Sequence, residues 1–267
     1  MHQTQYIMEH EEEALRLDIK TDSKTVNRQA LWAGLQPGMR VADIGCGSGI
    51  TTSFLHKLVQ PHGEVIGIDS SETRIRHAIE HYGRNGVDFL CKDIHEPLQG
   101  MGEFDFIWVR FLLEYQRSRS ADIVNNLFAN LKPGGILCLI DLDYNCLSHF
   151  GLSPLLENSI NGIMDTLEKS YDFDPYAGRK LYSYLYDIGC KDIDVDITYH
   201  HLIYGELNET DTYNWTKKVE VAAKKSGYRF DEYQRGYDEF FEEFKRFFSD
   251  PRRFTYTPII SCRGRKP

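Results

Sequence analysis

A glycine-rich segment between an apolar run and a helical pattern is the part of the sequence best suited to hold a ligand. It reads Asp43-Ile44-Gly45-Cys46-Gly47-Ser48-Gly49. Glycines let a chain turn tightly and bring its backbone against a ligand, while the free N–H groups of the following helix face the same crevice. Dinucleotide sites use the spacing G-x-G-x-x-G. Here the third glycine comes one residue earlier, and Ile50 takes the position that the dinucleotide pattern reserves for it.

The acid that precedes this loop narrows the choice of ligand. Asp43 lies two residues before Gly45, where its carboxylate would repel a pyrophosphate but suits a ligand with an ammonium group and no phosphate. S-adenosylmethionine is such a ligand. The predicted cofactor-binding residues of the loop are therefore Asp43, Gly45, Cys46, Gly47 and Gly49. The alternative is a glycine-rich turn that only packs a strand against a helix.

Two further acids follow the next two predicted strands. Asp69 comes twenty residues after Gly49, close to the spacing at which an acid binds ribose hydroxyls, and Ser70 adds a hydroxyl of its own. Asp93 is placed to accept a hydrogen bond from the adenine amino group while Ile94 covers the ring. Each acid alone can be explained as a helix N-cap. Three acids at the ends of three successive strands favour a ligand site.

The elements that position these residues alternate over the first 140 residues. The pattern predicts strands over residues 39–44, 63–69, 87–91, 104–109 and 136–142, with helices over 51–59, 72–82 and 121–131 between them. Strands that are apolar almost throughout indicate a parallel sheet covered by helices on both faces. Right-handed crossovers then give an α/β, doubly wound sheet whose ligand crevice lies at the carboxyl ends of the strands.

The second half of the sequence has a different pattern. Helices are predicted over 152–170 and 176–188, a strand over 192–201 and a last strand over 254–261. Between these two strands lies a polar and aromatic stretch, residues 205–250, which we predict to be a helical lid over the carboxyl ends of the strands. It ends in a helix with a phenylalanine stripe, made of Phe240, Phe241, Phe244, Phe247 and Phe248. We interpret this stripe as packing that holds the lid in place.

The order of these motifs resembles that of class I S-adenosylmethionine-dependent methyltransferases of the small-molecule type. The resemblance is detailed over residues 38–143 and is carried by Asp43-x-Gly45-x-Gly47-x-Gly49, Val65-Ile66-Gly67-Ile68-Asp69, Lys92-Asp93-Ile94, Phe104-Asp105-Phe106-Ile107 and Leu131-Lys132-Pro133-Gly134-Gly135. It implies a Rossmann-like, mostly parallel seven-stranded sheet with helices on both faces and a helical lid. It also implies a single domain over residues 1–267.

The resemblance assigns a role to several of the residues already singled out. Gly45 and Gly47 would lie along the methionine part of S-adenosylmethionine, Asp69 would hold the ribose, and Asp93 with Ile94 would hold the adenine.

Two further parts of the sequence gain a role from the resemblance. Arg110, just after the fourth strand, falls where family members often touch the cofactor or the substrate; a helix-side salt bridge is the alternative. Residues 1–25 would form an N-terminal helix that covers the cofactor, with Tyr6 at the start of its matching segment.

Composition excludes several kinds of partner. The chain has 40 acidic residues against 31 Lys and Arg, a net charge of −9, which argues against binding to nucleic acid or to an anionic membrane. No apolar run approaches the roughly 20 residues that cross a bilayer. The six cysteines are scattered without a Cys-x-x-Cys pair, so they form neither a disulfide framework nor a metal site. We expect a cytoplasmic protein without a metal; association into a homodimer is left open.

The predicted chemistry needs few catalytic groups. Methyl transfer from a sulfonium is an in-line displacement, and alignment of the reactants alone contributes on the order of 7–11 kcal/mol. A base matters only if the acceptor is a poorly ionised hydroxyl or an acidic carbon. No catalytic residue is therefore assigned. His149, His200 and His201 are candidate bases that we interpret as structural or surface residues.

The predicted acceptor is a small, partly apolar or aromatic molecule. The segment from Val109 to Tyr115 lacks the Asn/Asp-Pro-Pro-aromatic loop and the Pro-Cys pair of relatives that modify nucleic-acid bases. Two other functions stay open. One is an NAD(P)-dependent oxidoreductase on the same fold, which would place a glycine at position 50 and would not need Asp43. The other is a non-catalytic scaffold that binds the cofactor without turnover.

Overall fold

A single twisted sheet organises the protein. The computed structural model describes residues 13–98 and 100–267. Within these residues the sheet has eight strands: β1 (Arg40–Ile44), β2 (Glu64–Asp69), β3 (Val87–Cys91), β4 (Phe104–Arg110), β5 (Leu131–Leu142), β6 (His149–Phe150), β7 (Lys191–Tyr204) and β8 (Phe254–Arg265). They lie in the order β3-β2-β1-β4-β5-β8, with β7 on the far edge of β8. Strand β6 pairs with the start of β8, on the edge that β5 also uses.

The predicted mostly parallel, doubly wound sheet is confirmed. Strands β1 to β5 pair in parallel, and only the pairs made by β8 are antiparallel. Seven strands have at least five residues, as the family resemblance implies, and the two-residue β6 is an addition. The chain leaves β1 in one direction toward β2 and later returns to its other side with β4. A ligand crevice forms at such a reversal, at the carboxyl ends of the strands.

Helices cover both faces of the sheet. The described residues contain α1 (Glu13–Lys20), α2 (Ser23–Ala33), α3 (Ile50–Val59), α4 (Glu72–Tyr82), α5 (Ser120–Ala129), α6 (Pro154–Tyr171), α7 (Leu181–Asp187), α8 (Glu209–Ser226) and α9 (Tyr237–Ser249). Two short 3₁₀ turns span Leu113–Tyr115 and Gly178–Lys180. Within this part of the chain, no helix combines the length and the apolar character needed to cross a membrane.

Alternating strand residues build two separate core layers. On β4, Phe106 and Trp108 face the layer that contains α2 and α3, while Ile107 and Val109 face the layer that contains α5 and α7. All four side chains are at most 1% exposed. Burial of both faces of a strand explains why the sequence shows apolar runs instead of an alternating pattern.

Strand β5 begins earlier than the sequence indicates. We predicted a helix end at Lys132-Pro133-Gly134-Gly135 and a strand from Ile136, but β5 starts at Leu131. The pairing with β4 shifts there, from Phe104 opposite Leu131 to Phe106 opposite Ile136. The glycines join the strand because the Gly134 N–H donates to the Lys266 carbonyl at 2.9 Å and the Lys266 N–H donates to the Gly135 carbonyl at 2.9 Å. The C-terminal tail thus pairs with this segment.

Residues 205–250 form two helices, α8 and α9, between β7 and β8. Together with α6 they enclose a third apolar cluster, which is built mostly outside the sheet. Four phenylalanines of the predicted stripe are buried there, namely Phe240, Phe244, Phe247 and Phe248, and Phe241 is partly buried. The stripe therefore packs α9 against α6 and α8. Its action as a lid remains a prediction.

His149 ties this third cluster to the sheet and predicts an acid-sensitive fold. Its Nδ1 pairs with the Thr255 hydroxyl at 2.8 Å and its Nε2 with the Cys146 carbonyl at 3.0 Å. Burial is the main cause that lowers the pKa of His149 to about 4. Between pH 6.5 and pH 4, His149 is protonated in the unfolded chain but neutral in the folded chain. The free energy of unfolding therefore falls as the pH falls through this window.

We expect the titration of His149 alone to lower the free energy of unfolding by about 2 kcal/mol when the pH is lowered from 8 to 5. Urea unfolding at several pH values measures this loss, and His149→Asn serves as the comparison. The variant is less stable at pH 8, but its stability should fall less steeply toward pH 5. Equal slopes for both proteins would contradict the assignment.

Candidate functional site

The glycine loop is pinned to the end of the neighbouring strand β2. The N–H groups of Gly45 and Cys46 both donate to the Ile68 carbonyl, at 2.8 and 3.1 Å, and the Gly49 N–H donates back to the Cys46 carbonyl at 3.0 Å. All three glycines of the loop have positive φ angles, from 56° to 88°. Because other residues adopt such angles only with strain, the loop geometry itself requires glycine.

Gly49 is also required by close packing at the start of α3. A Cβ atom at this position would lie 2.7 Å from the Ala78 Cβ and 2.9 Å from the Phe89 ring. The third glycine therefore brings α3 close to α4 and β3, instead of opening space for a ligand. Helix α3 begins directly after Gly49, and no side chain caps its first turn. The first N–H groups of α3 therefore face the crevice.

Asp69 joins the end of β2 to the glycine loop. Its Oδ2 accepts the Gly47 N–H at 3.0 Å, while its Oδ1 accepts the Ser71 N–H at 2.9 Å and the Arg74 Nη2 at 2.9 Å. The side chain is 7% exposed. Each carboxylate oxygen can accept about two hydrogen bonds, so Oδ2 has capacity for one ribose hydroxyl. A second hydroxyl would have to share Oδ1 with Arg74.

Asp43 and Arg110 lie on the other side of the loop, at the ends of β1 and β4. The Asp43 Oδ2 accepts the Thr52 hydroxyl at 2.6 Å, which ties the loop to α3. Burial raises the pKa of Asp43 to about 7, although the Thr52 hydroxyl and the charge of Arg110 oppose this shift. Arg110 donates to the Gln29 side-chain oxygen at 3.3 Å and stacks over the Phe111 ring at 4.0 Å. Asp43 and Arg110 therefore both contact other groups of the protein. Among the described residues, Arg110 does not form the helix-side salt bridge that was its alternative role.

The residues predicted to hold adenine lie past the ends of β2 and β3. Asp93 is exposed, and its Oδ1 accepts the His95 N–H at 2.9 Å. Ile94 is 6% exposed and packs into the core layer beneath it. Ser70 is exposed. These positions surround the same edge of the sheet as the glycine loop, and their contacts with a nucleoside remain predictions.

Helix α1 lies over the glycine loop. A Cβ atom at Gly47 would meet the Leu17 Cδ1 at 3.0 Å, and Asp18 bonds the His77 ring of α4 at 2.9 Å. The predicted N-terminal segment, residues 1–25, is two helices where the structure describes it. Helix α1 ends at Lys20, and α2 begins at Ser23 because Asp22 caps its first N–H groups. Tyr6 lies outside the described residues.

We expect that removal of residues 1–20 weakens cofactor binding more than it weakens the fold. Ala14 is the buried apolar residue that α1 contributes, whereas Leu17 covers the loop. The dissociation constant of S-adenosylhomocysteine should rise at least tenfold, while the melting temperature falls by about 4 °C or less, which corresponds to about 1 kcal/mol. Calorimetry and thermal unfolding measure the two effects. Unfolding of the truncated chain without a separate binding defect would contradict a covering role, and Leu17→Ala isolates the contact with Gly47.

A second group of polar residues lies where β4 and β5 end beneath α1 and α8, and the sequence analysis missed four of its members, namely Lys20, Glu114, Asn145 and Lys218. The Glu114 side chain is buried, and its Oε2 accepts the Asn145 amide at 2.7 Å. Lys218 of α8 donates to the Asn145 side-chain oxygen at 2.9 Å. Lys20 and Lys218 both act electrostatically on Glu114 and on His200 of β7. Only the tertiary fold brings these residues together.

This group is partly open to solvent instead of sealed in the core. Lys20 is exposed, and Arg110, His200 and Lys218 are partly exposed, yet burial among protein atoms is the first cause of the lowered pKa of Lys20, Arg110 and His200. Groups that are open to solvent but surrounded by protein belong to a concave surface. We call this region the lysine cleft and define it by Lys20, Arg110, Glu114, His200 and Lys218.

The three candidate histidine bases have different surroundings. His149 has both ring nitrogens engaged, which supports a structural role. The ring centres of His200 and His201 lie 4.1 Å apart with their planes tilted by 59°, and burial lowers the pKa of both, in His201 to about 2. A histidine with such a low pKa is neutral but a weak base at neutral pH. Lys20 and Lys218 act on both rings, and the His200 ring also contacts Phe111 at 5.2 Å. Among the described residues no cluster of His, Cys, Asp or Glu is suited to a metal ion.

The residues around the loop fit a nucleoside that carries no phosphate. The loop offers backbone N–H groups beside the carboxyl groups of Asp43 and Asp69, which suit a positively charged ligand better than a diphosphate. The Ser48 hydroxyl in the loop and the Gln29 amide nitrogen beside Arg110 are buried and have no hydrogen-bond partner within the described part of the chain. Buried polar atoms of this kind normally have a partner, and the described residues supply none to either atom.

The strand order and the glycine loop at the end of β1 define a Rossmann-like methyltransferase fold of class I. Residues 41–135 match a family described as a methyltransferase domain. This segment is therefore a class I S-adenosylmethionine-dependent methyltransferase domain. It contains β1 to β4 and the glycine loop, and most of the lysine cleft lies outside it.

Similar proteins extend this assignment in sequence and in structure. The chain is 32% identical over 111 residues to the ubiquinone biosynthesis O-methyltransferase of Coxiella burnetii, and the match covers 40% of this chain and 45% of that protein. A putative methyltransferase from Bacillus halodurans aligns with a TM-score of 0.60 at 16% identity, over 91% of this chain and 99% of the other.

A phosphoethanolamine N-methyltransferase of Haemonchus contortus, solved with phosphomonomethylethanolamine and S-adenosylhomocysteine, aligns with a TM-score of 0.55 at 16% identity. That alignment covers 91% of this chain and 52% of the other. At this identity the structural likeness shows the fold alone. The chain thus spans slightly less than half the length of its curated relative in Coxiella.

Proposed function

We propose that this protein transfers a methyl group from S-adenosylmethionine to a small, partly apolar or aromatic acceptor. The observation that carries the proposal is the hydrogen bond of 3.0 Å from the Gly47 N–H to the Asp69 Oδ2. It joins the loop expected to bind the methionine part with the acid expected to bind the ribose, on adjacent parallel strands. The shared methyltransferase domain supports the cofactor, and a cytoplasmic location without nucleic-acid partners completes the proposal.

The protein's part in this reaction is binding, orientation and exclusion of water. Bound S-adenosylmethionine supplies a methyl group on a positively charged sulfur, which needs no further activation. The glycine loop and Asp69 hold the nucleoside at the ends of β1 and β2. Leu17 and Leu112 cover the loop glycines, since a Cβ atom added at Gly47 would lie 3.0 Å from the Leu17 side chain and one added at Gly45 would lie 3.1 Å from the Leu112 side chain. The lysine cleft opens toward the same edge of the sheet and is the place for the acceptor.

Two binding titrations test the choice of cofactor. Calorimetry with S-adenosylhomocysteine and with NADH should show binding of the first and none of the second. Binding of NADH alone would overturn the proposal in favour of an oxidoreductase. Turnover of labelled S-adenosylmethionine on a panel of phenols, amines and quinone-like acceptors then separates an enzyme from a scaffold. Cofactor binding without turnover on any acceptor would favour the scaffold.

A further inference from the structure

The lysine cleft contains two ammonium groups that no carboxylate of the described residues contacts. We propose that this cleft binds the methyl acceptor through an oxyanion, either a carboxylate or a phosphate, with Lys20 and Lys218 as its cationic contacts. The inference rests on the proposed function, because it names the chemistry of the acceptor. Its physical basis is the imbalance between positive and negative groups that face the cleft.

Of the two lysines, Lys20 has fewer hydrogen-bond and ion-pair partners among the described residues. Its ammonium makes no hydrogen bond or ion pair with any residue of 13–98 or 100–267. Burial among protein atoms lowers the pKa of Lys20 to about 7, and repulsion by Lys218 and Arg16 adds to this shift, while Glu114 opposes it. A charged group held among other cations is stabilised by an anion placed beside it. Because Lys20 is also exposed, such an anion can reach it from solvent.

Lys218 approaches the same cleft from α8. Its ammonium donates to the Asn145 side-chain oxygen at 2.9 Å and lies 5.3 Å from the centre of the Trp215 ring. These are neutral partners, and no described carboxylate lies within ion-pair distance of it. Helices α1 and α8 come from opposite ends of the chain. The fold therefore brings two like charges together, which is unfavourable unless something between them carries the opposite charge.

Glu114 neutralises only part of this charge. It is 3% exposed, and burial raises its pKa, while Lys218, Asn145 and Lys20 act in the opposite direction. One carboxylate can offset at most one of the two lysines. Arg110, the third cation of the cleft, is opposed by Asp43 and Asp141. The two lysines therefore outnumber the one carboxylate, Glu114, that acts on Lys20 and is itself acted on by both lysines.

Neutral rings form the rest of the wall. The Phe111 ring meets the His200 ring at 5.2 Å, edge to face, and Phe111 has a φ of 56°, a strained angle for a residue other than glycine. Burial, followed by the charge of Lys20, keeps the pKa of His200 well below its ordinary value, so the ring is neutral. A wall of two cations and two neutral rings fits an acceptor with a flat apolar body and one oxyanion.

The test compares charged and neutral probes of the same shape. Benzoate and phenyl phosphate are titrated against the full chain by NMR, with benzamide as the neutral counterpart of benzoate. We expect one of the two anions to bind at least tenfold more tightly than benzamide, and the comparison of the anions identifies the group. Lys20→Met and Lys218→Met should each remove this preference. Lys217→Met should retain it, because Lys217 lies on the same helix but is paired with Glu220 at 3.1 Å.

Equal affinities for benzoate, phenyl phosphate and benzamide would overturn the inference, as would a preference that survives in both methionine variants. If Lys20→Met does not fold, Lys20→Arg keeps a cation at the site and should retain the preference. Titration of S-adenosylhomocysteine against the same sample tests the proposed function separately. If S-adenosylhomocysteine does not bind but the anions still bind more tightly than benzamide, the methyltransferase proposal is contradicted. The anion site is then still supported.

Discussion

Gly49→Ala is expected to lower the free energy of unfolding by about 2–5 kcal/mol, the largest effect of any single substitution considered. Two causes add. The φ of 88° strains a residue with a Cβ atom by roughly 1–2 kcal/mol, and overpacking against Ala78 and Phe89 contributes about 1–3 kcal/mol more. Urea unfolding measures the loss. Affinity for S-adenosylhomocysteine should fall as well, because any relief of the clash displaces the start of α3.

Gly38→Ala is the matched control for this prediction. Gly38 has a φ of 83°, but a Cβ atom there meets nothing within 4 Å. The control therefore carries the backbone strain without the packing clash, and its loss should be about 1–2 kcal/mol. A similar loss for both variants would contradict the claim that Gly49 is needed for close packing.

Asp69→Ala is expected to weaken S-adenosylhomocysteine binding by one to two orders of magnitude. The substitution removes charge-assisted hydrogen bonds worth roughly 1.5–3 kcal/mol, both to the ribose and to the Gly47 N–H. It also leaves the buried Arg74 without the carboxylate that it contacts at 2.9 Å, so the fold loses stability too. Calorimetry on the folded variant separates the binding loss from the stability loss.

Asp69→Asn distinguishes the two roles of this side chain. The amide keeps the shape and one oxygen for the Gly47 N–H, but it loses the charge that Arg74 requires. We expect intermediate affinity. An unchanged dissociation constant for Asp69→Ala would show that Asp69 only holds Arg74 and the Ser71 N–H.

Local sequence signals predicted the cofactor half of the fold well. The glycine loop, the apolar strands and the acid after β2 are each encoded within about ten residues, and the parallel sheet follows from their order. The predicted start of β5 was wrong because the glycines of β5 pair with Lys266, more than 130 residues away. The break between α1 and α2 at Asp22 was missed, although an Asp before a helical pattern is a known N-cap signal.

The lysine cleft, our proposed acceptor site, was not predictable from the sequence, for a physical reason. Lys20, Glu114 and Lys218 lie in segments about 100 residues apart, and each has the local context of an ordinary helix or turn residue. Their significance comes from mutual repulsion and from burial, which exist only after the sheet and α8 are in place. Sequence patterns report periodicity and turns, but they do not report which charges meet in space.

A crystal structure with S-adenosylhomocysteine bound is the most direct test of the central claim. We predict that the amino-acid end of the ligand lies along Gly45 and Gly47, that a ribose hydroxyl contacts the Asp69 Oδ2, and that the sulfur faces the lysine cleft. Density for the ligand at another site, or for the diphosphate of a dinucleotide against the loop glycines, would contradict the account.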